Sequence, residues 1–375
     1  MNWHYLILAY ASLFSIGLID NARGPALPEI LRQFQLTPTQ GGYFFAIASF
    51  AGLCNNILGR WWLIKLGPKR GMLLFILLTA LGSLCLGFCN TDGGGFPFLL
   101  LSALILGLGM SGVSVCMNVM VQEGSSPLHL RRAFSGLHAM YGMSSLITPL
   151  GLALVLHYNG SWKNYFQILA LFPIIIGLLC LRPTPAPLAV QKTTVLDRSL
   201  LPPFKTRLRF GLIFGFYVAA EVSLSTWLVY FAESVWHWPL NQASSYLSAF
   251  FACLLLGRAG FALFRFRGKT FYWLVAPLCL SILCFSLGLL HHPAWLSLCG
   301  LSMSVFWPLA LEWMGQKFPS CAGAMITSIL TTSGVMLISA HWLIGFLSTN
   351  IGIGQALWFG PVFLTISLLF LLQQD

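Results

Sequence analysis

The sequence predicts an all-α membrane protein of twelve transmembrane helices, arranged as two pseudo-repeats of six, with both termini cytoplasmic. Three observations carry this. Of 375 residues, 57% are hydrophobic and only 8% are charged, against about 25% charged in a soluble domain. A core of this size cannot hide so much apolar surface. The apolar runs are continuous rather than alternating, which favours helices over a barrel, and about 20 residues per crossing leave room for roughly twelve. Finally, the cations fall on alternate connections, which fixes both the number of crossings and their direction.

The segments lie near 4–27, 40–64, 71–90, 97–121, 133–157, 164–181, 209–232, 242–264, 271–291, 294–314, 322–346 and 353–373. Residues 182–208, rich in proline and cations, form a cytoplasmic linker between an N-terminal lobe (1–181) and a C-terminal lobe (209–375). No cleavable signal is expected, because the first apolar run leads straight into charged residues without a small-residue cleavage pattern. With a cytoplasmic N-terminus, the inner connections and helix ends hold all of the 20 Lys and Arg except Arg23, Arg32 and Lys163. This is the positive-inside asymmetry. It accounts for the net charge of +11 without a nucleic-acid partner.

Short patterns recur about 200 residues apart, a sign of a duplicated half. Leu58-Gly59-Arg60 is matched by Leu256-Gly257-Arg258, each followed by further cations. Asp20 is matched by Glu221, and Ser114-Val115 with Glu123 by Ser304-Val305 with Glu312. The ten cysteines contain no CxxC and no Cys/His cluster at metal spacing, so neither metal nor cofactor is expected.

Within this frame the charged residues inside apolar segments are the candidates for function. Gly17 to Ile30, GLIDNARGPALPEI, places Asp20 and Arg23 on one helical face. Each such charge costs about 2.5–3.5 kcal/mol to insert. Gly17, Gly24, Pro25 and Pro28 loosen or end the helix beside them. One reading is a proton or substrate site; the other is a pair reaching for the interface where the helix emerges. Glu221, about a dozen residues into segment seven, is the second candidate acid. A carboxyl group that gains or loses a proton with hydration suits a carrier that faces each side in turn. A protonated acid bonded to a neighbouring helix is the alternative.

Asn118 in segment four could bind a polyhydroxylated solute through its amide, or link two helices. His138 and Tyr141 share a face of segment five, and His138 could relay protons or bond a backbone carbonyl. Trp227, Tyr230 and Trp307 lie deep enough to wall a substrate path, or simply to pack. Glu123 and Glu312 lie near inner helix ends, where Arg131, Arg132 or Lys317 could pair with them as a gate. Asn55 and Asn56 read as structural. Gly107, Gly109 and Gly112 give segment four a small-residue face for close helix approach. No phosphate-binding loop, nucleophile elbow or metalloenzyme motif occurs, so the chain does not read as an enzyme and a gradient must supply any energy.

The twelve segments, the basic middle connection and the Gly-Arg plus basic stretches after segments two and eight resemble the major facilitator superfamily. In that family a loop motif of glycine, aspartate and basic residues follows segment two. Lys65-Leu66-Gly67-Pro68-Lys69-Arg70 keeps its second half, while Arg60 and Ile64 stand where the first glycine and the aspartate would be, with Gly59 one place earlier. The resemblance implies a gating role for Gly59, Arg60, Lys65, Gly67 and Arg70. Three stretches resemble the fucose permease and related sugar:proton symporters: Pro25 to Pro28, residues 137–151 and residues 216–231.

The expected function is proton-coupled transport of a small polar solute, a sugar or similar metabolite, by alternating access. Asp20, Glu221 and His138 would carry protons, and Arg23, Asn118, Tyr141, Trp227, Tyr230 and Trp307 would contact the solute. The rivals are a proton-antiport exporter of a metabolite, siderophore or drug, and a transport-inactive solute sensor. The expected partners are the solute, protons and the lipid bilayer of a bacterial inner membrane, and a monomer is the default.

Overall fold

The computed structural model describes residues 2–91, 95–126, 128–183, 202–263 and 270–373. All regular structure among them is helical. The chain divides into two compact units, Met1–Lys192 and Thr193–Asp375. Eleven helical stretches are long and apolar enough to cross a bilayer. The 24-residue helix Leu240–Leu263 is a further long helix. Most of the expected linker, 184–201, lies outside the described residues.

The first unit contains α1 (Trp3–Phe34), α2 (Pro38–Gly87), α3 (Gly95–Gly124), α4 (Leu130–His157) and α5 (Trp162–Cys180). Local chemistry sets their ends. The Asn2 side chain accepts from the Tyr5 amide at the start of α1, and Gln35 closes it in the left-handed conformation. Thr37 and Gln40 form a reciprocal cap at the start of α2, with Pro38 in the first turn, and Ser161 and Asn164 do the same for α5. At 50 residues, α2 is far longer than one crossing needs. It bends at Gly67, whose φ of 70° and ψ of 168° suit only glycine, and Pro68 follows. Segments two and three are therefore two helical stretches that meet at a tight kink at Gly67.

Segment one is also longer than the sequence suggested. α1 continues through Pro25 and Pro28 to Phe34, so these prolines do not end it. The tight surroundings of a membrane bundle tolerate such prolines. This places Asp20 in the middle of the helix rather than near its exit. Tightness comes from small residues. A Cβ on Gly107 would lie 2.1 Å from the Ala48 carbonyl oxygen, and one on Gly112 would fall 2.1 Å from the Phe75 ring. The small-residue face of α3 thus presses backbone to backbone against α2, as its spacing predicted.

The second unit contains α6 (Phe204–Trp236), α7 (Leu240–Leu263), α8 (Thr270–Leu290), α9 (Ala294–Met303), α10 (Phe306–Lys317), α11 (Ala322–Ile351), α12 (Ile353–Ala356) and α13 (Phe359–Leu372). Helix α6 begins at Phe204, inside the stretch assigned to the linker from sequence. Its core side is aromatic: Phe210, Phe214, Tyr217, Trp227 and Phe231 are all buried. The tenth segment is interrupted between Met303 and Phe306, giving α9 and α10. Pro308 has no N–H to bond the Ser304 carbonyl, and the interruption lies one turn before it. Outward, both units show large apolar side chains such as Ile57, Leu154, Leu178 and Leu283, the surface that lipid tails cover.

Candidate functional site

In the first unit the site is built where α1 meets α4. Gly17 has no side chain, and a Cβ there would fall 2.1 Å from the Ser144 hydroxyl and 3.1 Å from the Tyr141 ring. This close approach brings Tyr141 of α4 to Asp20, one turn further along α1. The Tyr141 hydroxyl donates to Asp20 Oδ2 at 2.9 Å. Arg23 donates through Nη2 to the other carboxylate oxygen, Oδ1, and its Nε reaches the Asp20 carbonyl oxygen at 3.4 Å. The guanidinium also lies 5.6 Å from the Phe45 ring centre, within cation–π range. Asn21 donates to the Ser145 hydroxyl at 3.0 Å, a second bridge between the helices.

Asp20 is thus held by a cation and a phenol at once. Its side chain keeps 35% of its surface open, whereas Arg23 keeps 10%. The acid is reachable and the base is packed away.

The second unit carries a parallel set. Glu221 is the eighteenth residue of α6, as Asp20 is of α1. Its partner is Arg258 of α7, with Nη2 3.7 Å from Oε1. Tyr217 lies one turn before Glu221 on the same face, and its hydroxyl donates to the Met303 carbonyl at the α9 end, 2.6 Å away. Glu221 and Arg258 keep 21% and 34% of their side-chain surface open. Sequence reasoning counted Arg258 among the cytoplasmic cations. In the structure its guanidinium lies against the Glu221 carboxylate, a pairing that sequence reasoning missed. The signal was available, because α6 and α7 form a hairpin joined by only 237–239, and Arg258 follows the turn by about as many residues as Glu221 precedes it.

The remaining candidates divide. Asn118 donates to the Ser114 carbonyl of its own helix at 2.7 Å, so its N–H is engaged locally. Asn55 donates to the Leu108 carbonyl and Asn56 accepts from Ser111, the structural roles expected. His138 stands exposed on α4, while Tyr141 on the next turn faces Asp20. Trp227 has no exposed surface and meets Tyr230 edge-on at 6.0 Å. A ring without open surface cannot stack on a sugar, so Trp227 is core and not substrate wall. Tyr230 and Trp307 are half-buried, and Trp307 packs edge-on against Phe214 at 5.2 Å.

Around the expected gate, Gly67 forms the α2 kink, Lys65 lies 3.9 Å from the Trp61 ring centre, Arg70 is exposed and Gly59 is buried. The side chains of Arg60 and Arg131 lie outside the described residues. Glu123 makes no ion pair among the described residues, so the expected pairing with Arg132 is not present. Glu312 accepts from Gln316 at 3.2 Å on its own helix, and Lys317 lies over Phe210 and Trp313. The described residues contain no group of three or more His, Cys, Asp or Glu able to hold a metal ion.

The family model of the Major Facilitator Superfamily matches residues 9–340. The chain belongs to this superfamily. Among curated relatives it matches a TsgA homolog of Buchnera aphidicola, 22% identical over 258 residues, which are 67% of this chain and 63% of that protein. The chain spans less than two thirds of the length of the curated relatives it matches. Solved structures with the same fold include a D-xylose-proton symporter, with a TM-score of 0.79, 12% identity and coverage of 99% of this chain and 97% of that one. The E. coli fucose:proton symporter also shares the fold, with a TM-score of 0.64, 17% identity and coverage of 99% and 98%. The superfamily fold is therefore that of multi-pass membrane transporters of small solutes.

Proposed function

We propose that the protein is a proton-coupled secondary transporter. It carries a small polar solute, a sugar or similar metabolite, across the bacterial inner membrane by alternating access of two six-helix lobes, with the N-terminus cytoplasmic. One observation carries this reading. Each unit places a carboxylate as the eighteenth residue of a membrane-length helix, beside an arginine and a tyrosine, with part of the carboxylate still open. Acids sealed in packing would serve only to hold helices together. Acids with an open face can load and release a proton, and their arginines replace the lost hydration while they are ionised. Each charge moved across the membrane is worth about 2.3 kcal/mol per 100 mV, which is enough to concentrate a solute more than tenfold. Two proteins of the same fold, a D-xylose-proton symporter and a fucose:proton symporter, are in keeping with proton coupling.

The test is uptake into proteoliposomes under an imposed pH gradient, beside counterflow exchange without one. Glu221→Gln is expected to abolish gradient-driven uptake and to retain counterflow. A Glu221→Gln protein that still concentrates solute against its gradient overturns the assignment of Glu221 as a coupling group.

A further inference from the structure

The two charge pairs are not built alike. In the first unit the arginine is packed away, donates to its acid and is on the same helix. In the second, Arg258 is on a separate helix and its nearest approach to Glu221 is 3.7 Å, longer than a hydrogen bond. Arg258 makes no hydrogen bond among the described residues, although a guanidinium has five donors. A guanidinium one-third exposed, with only a carboxylate 3.7 Å away, keeps donors open to a ligand.

Its surroundings point the same way. Gly257 precedes Arg258, and a Cβ there would lie 2.0 Å from the Ser304 hydroxyl. This close approach sets Arg258 beside the interruption between α9 and α10. Ser304 and Val305 keep right-handed helical dihedrals there, and Pro308 leaves the Ser304 carbonyl without its helical N–H donor. Here the Met303 carbonyl has turned to the Tyr217 hydroxyl, on the α6 face that also carries Glu221.

We propose that Arg258 binds an anionic group of the transported solute, a carboxylate, sulfonate or phosphate, where α6, α7 and the α9–α10 interruption meet. This rests on the reading of the protein as a solute carrier and narrows its solutes to acidic ones. Charge explains the order of events. With Glu221 ionised the pair is neutral and repels nothing and attracts little. With Glu221 protonated, Arg258 is an unbalanced cation that takes the solute's anionic group. The titratable groups facing the pair are Glu221 and Tyr217 on α6 and Cys299 on α9. Tyr217 donates to the Met303 carbonyl and Cys299 is fully buried, which leaves Glu221 as the carboxylate facing Arg258. Proton and anion then travel together as a neutral load.

The experiment is a binding screen by thermal shift on the full chain in detergent. It uses matched pairs that differ in charge: gluconate against glucose, lactate against lactamide, and methanesulfonate against dimethyl sulfone. At least one anionic member is expected to raise Tm where its neutral partner does not. Its Kd should weaken at least tenfold in Arg258→Gln and less in Arg258→Lys, with the gel-filtration profile of both variants unchanged. Equal shifts by neutral partners, an Arg258→Gln Kd within twofold of the parent, or no shift by any anionic probe would each overturn the proposal. Binding is read without a proton gradient, so a failure of coupling in vesicles leaves this result intact. Gradient-driven uptake of neutral solutes alone would sink the anion site and leave coupling standing.

Discussion

Replacing Gly17 by alanine tests how the first carboxylate is held. The added Cβ would sit 2.1 Å from the Ser144 hydroxyl, 3.1 Å from the Ser144 Cβ and 3.1 Å from the Tyr141 ring. Ordinary contact begins at about 3.4 Å, so α4 must retreat by about 1 Å or Ser144 must rotate. Rotation breaks the bond from Ser144 to the Tyr141 carbonyl, worth about 0.5–1.5 kcal/mol, and does not relieve the two 3.1 Å contacts. Overpacking of this kind costs about 1–3 kcal/mol. The proper reference is Gly315→Ala in α10, where nothing lies within 4 Å, because it has the same gain in helix propensity. Denaturation in mixed micelles should show Gly17→Ala less stable than Gly315→Ala by that amount. Gradient-driven uptake should fall with it, since a retreat of α4 takes the Tyr141 hydroxyl out of reach of Asp20. Gly17→Ala with Ser144→Gly should recover most of both losses. If Gly17→Ala matches Gly315→Ala in stability and uptake, the contact does not position Tyr141.

Tyr141→Phe removes one of the two donors to Asp20 without opening a cavity; a hydrogen bond to a charged group is worth about 1.5–3 kcal/mol, so Tm should fall by several degrees and gradient-driven uptake at least tenfold. Asp20→Asn leaves the Arg23 charge packed and unbalanced, and the protein should express poorly; Asp20→Asn with Arg23→Gln should recover the folded yield on fluorescence-detected gel filtration, but not proton-driven uptake. Gly107→Ala, which would drive a Cβ to 2.1 Å from the Ala48 carbonyl oxygen, should destabilise the first unit more than Gly17→Ala, because the three nearest atoms are all Ala48 backbone and cannot rotate away.

Much of this was legible in the sequence. Apolar run length gave the crossings, since hydrocarbon thickness allows few alternatives. A spacing of three put Asp20 beside Arg23, and the glycines of α3 marked a close helix contact. Other features depended on distant parts of the chain. That Tyr141 bonds Asp20 follows from where Gly17 lets α4 settle, and no local pattern encodes it. The pairing of Arg258 with Glu221 joins two helices, and no local pattern encodes it either. Pro25 and Pro28 misled because the rule that proline ends a helix is drawn from water, where freed carbonyls have easy partners. Trp227 misled because depth in a span does not distinguish a buried ring from one facing a path.

The placement of the two arginines bears on how the chain enters its membrane during synthesis. Asp20 and Arg23 share a helix, so α1 can leave the translocon alone with its charges already matched. Glu221 and Arg258 do not, and α6 by itself would deliver an unaccompanied acid to the lipid. Helices α6 and α7 are therefore best released as a pair, with the 237–239 turn already formed. Biogenesis of the second half then begins from a hairpin where the first half begins from a single helix.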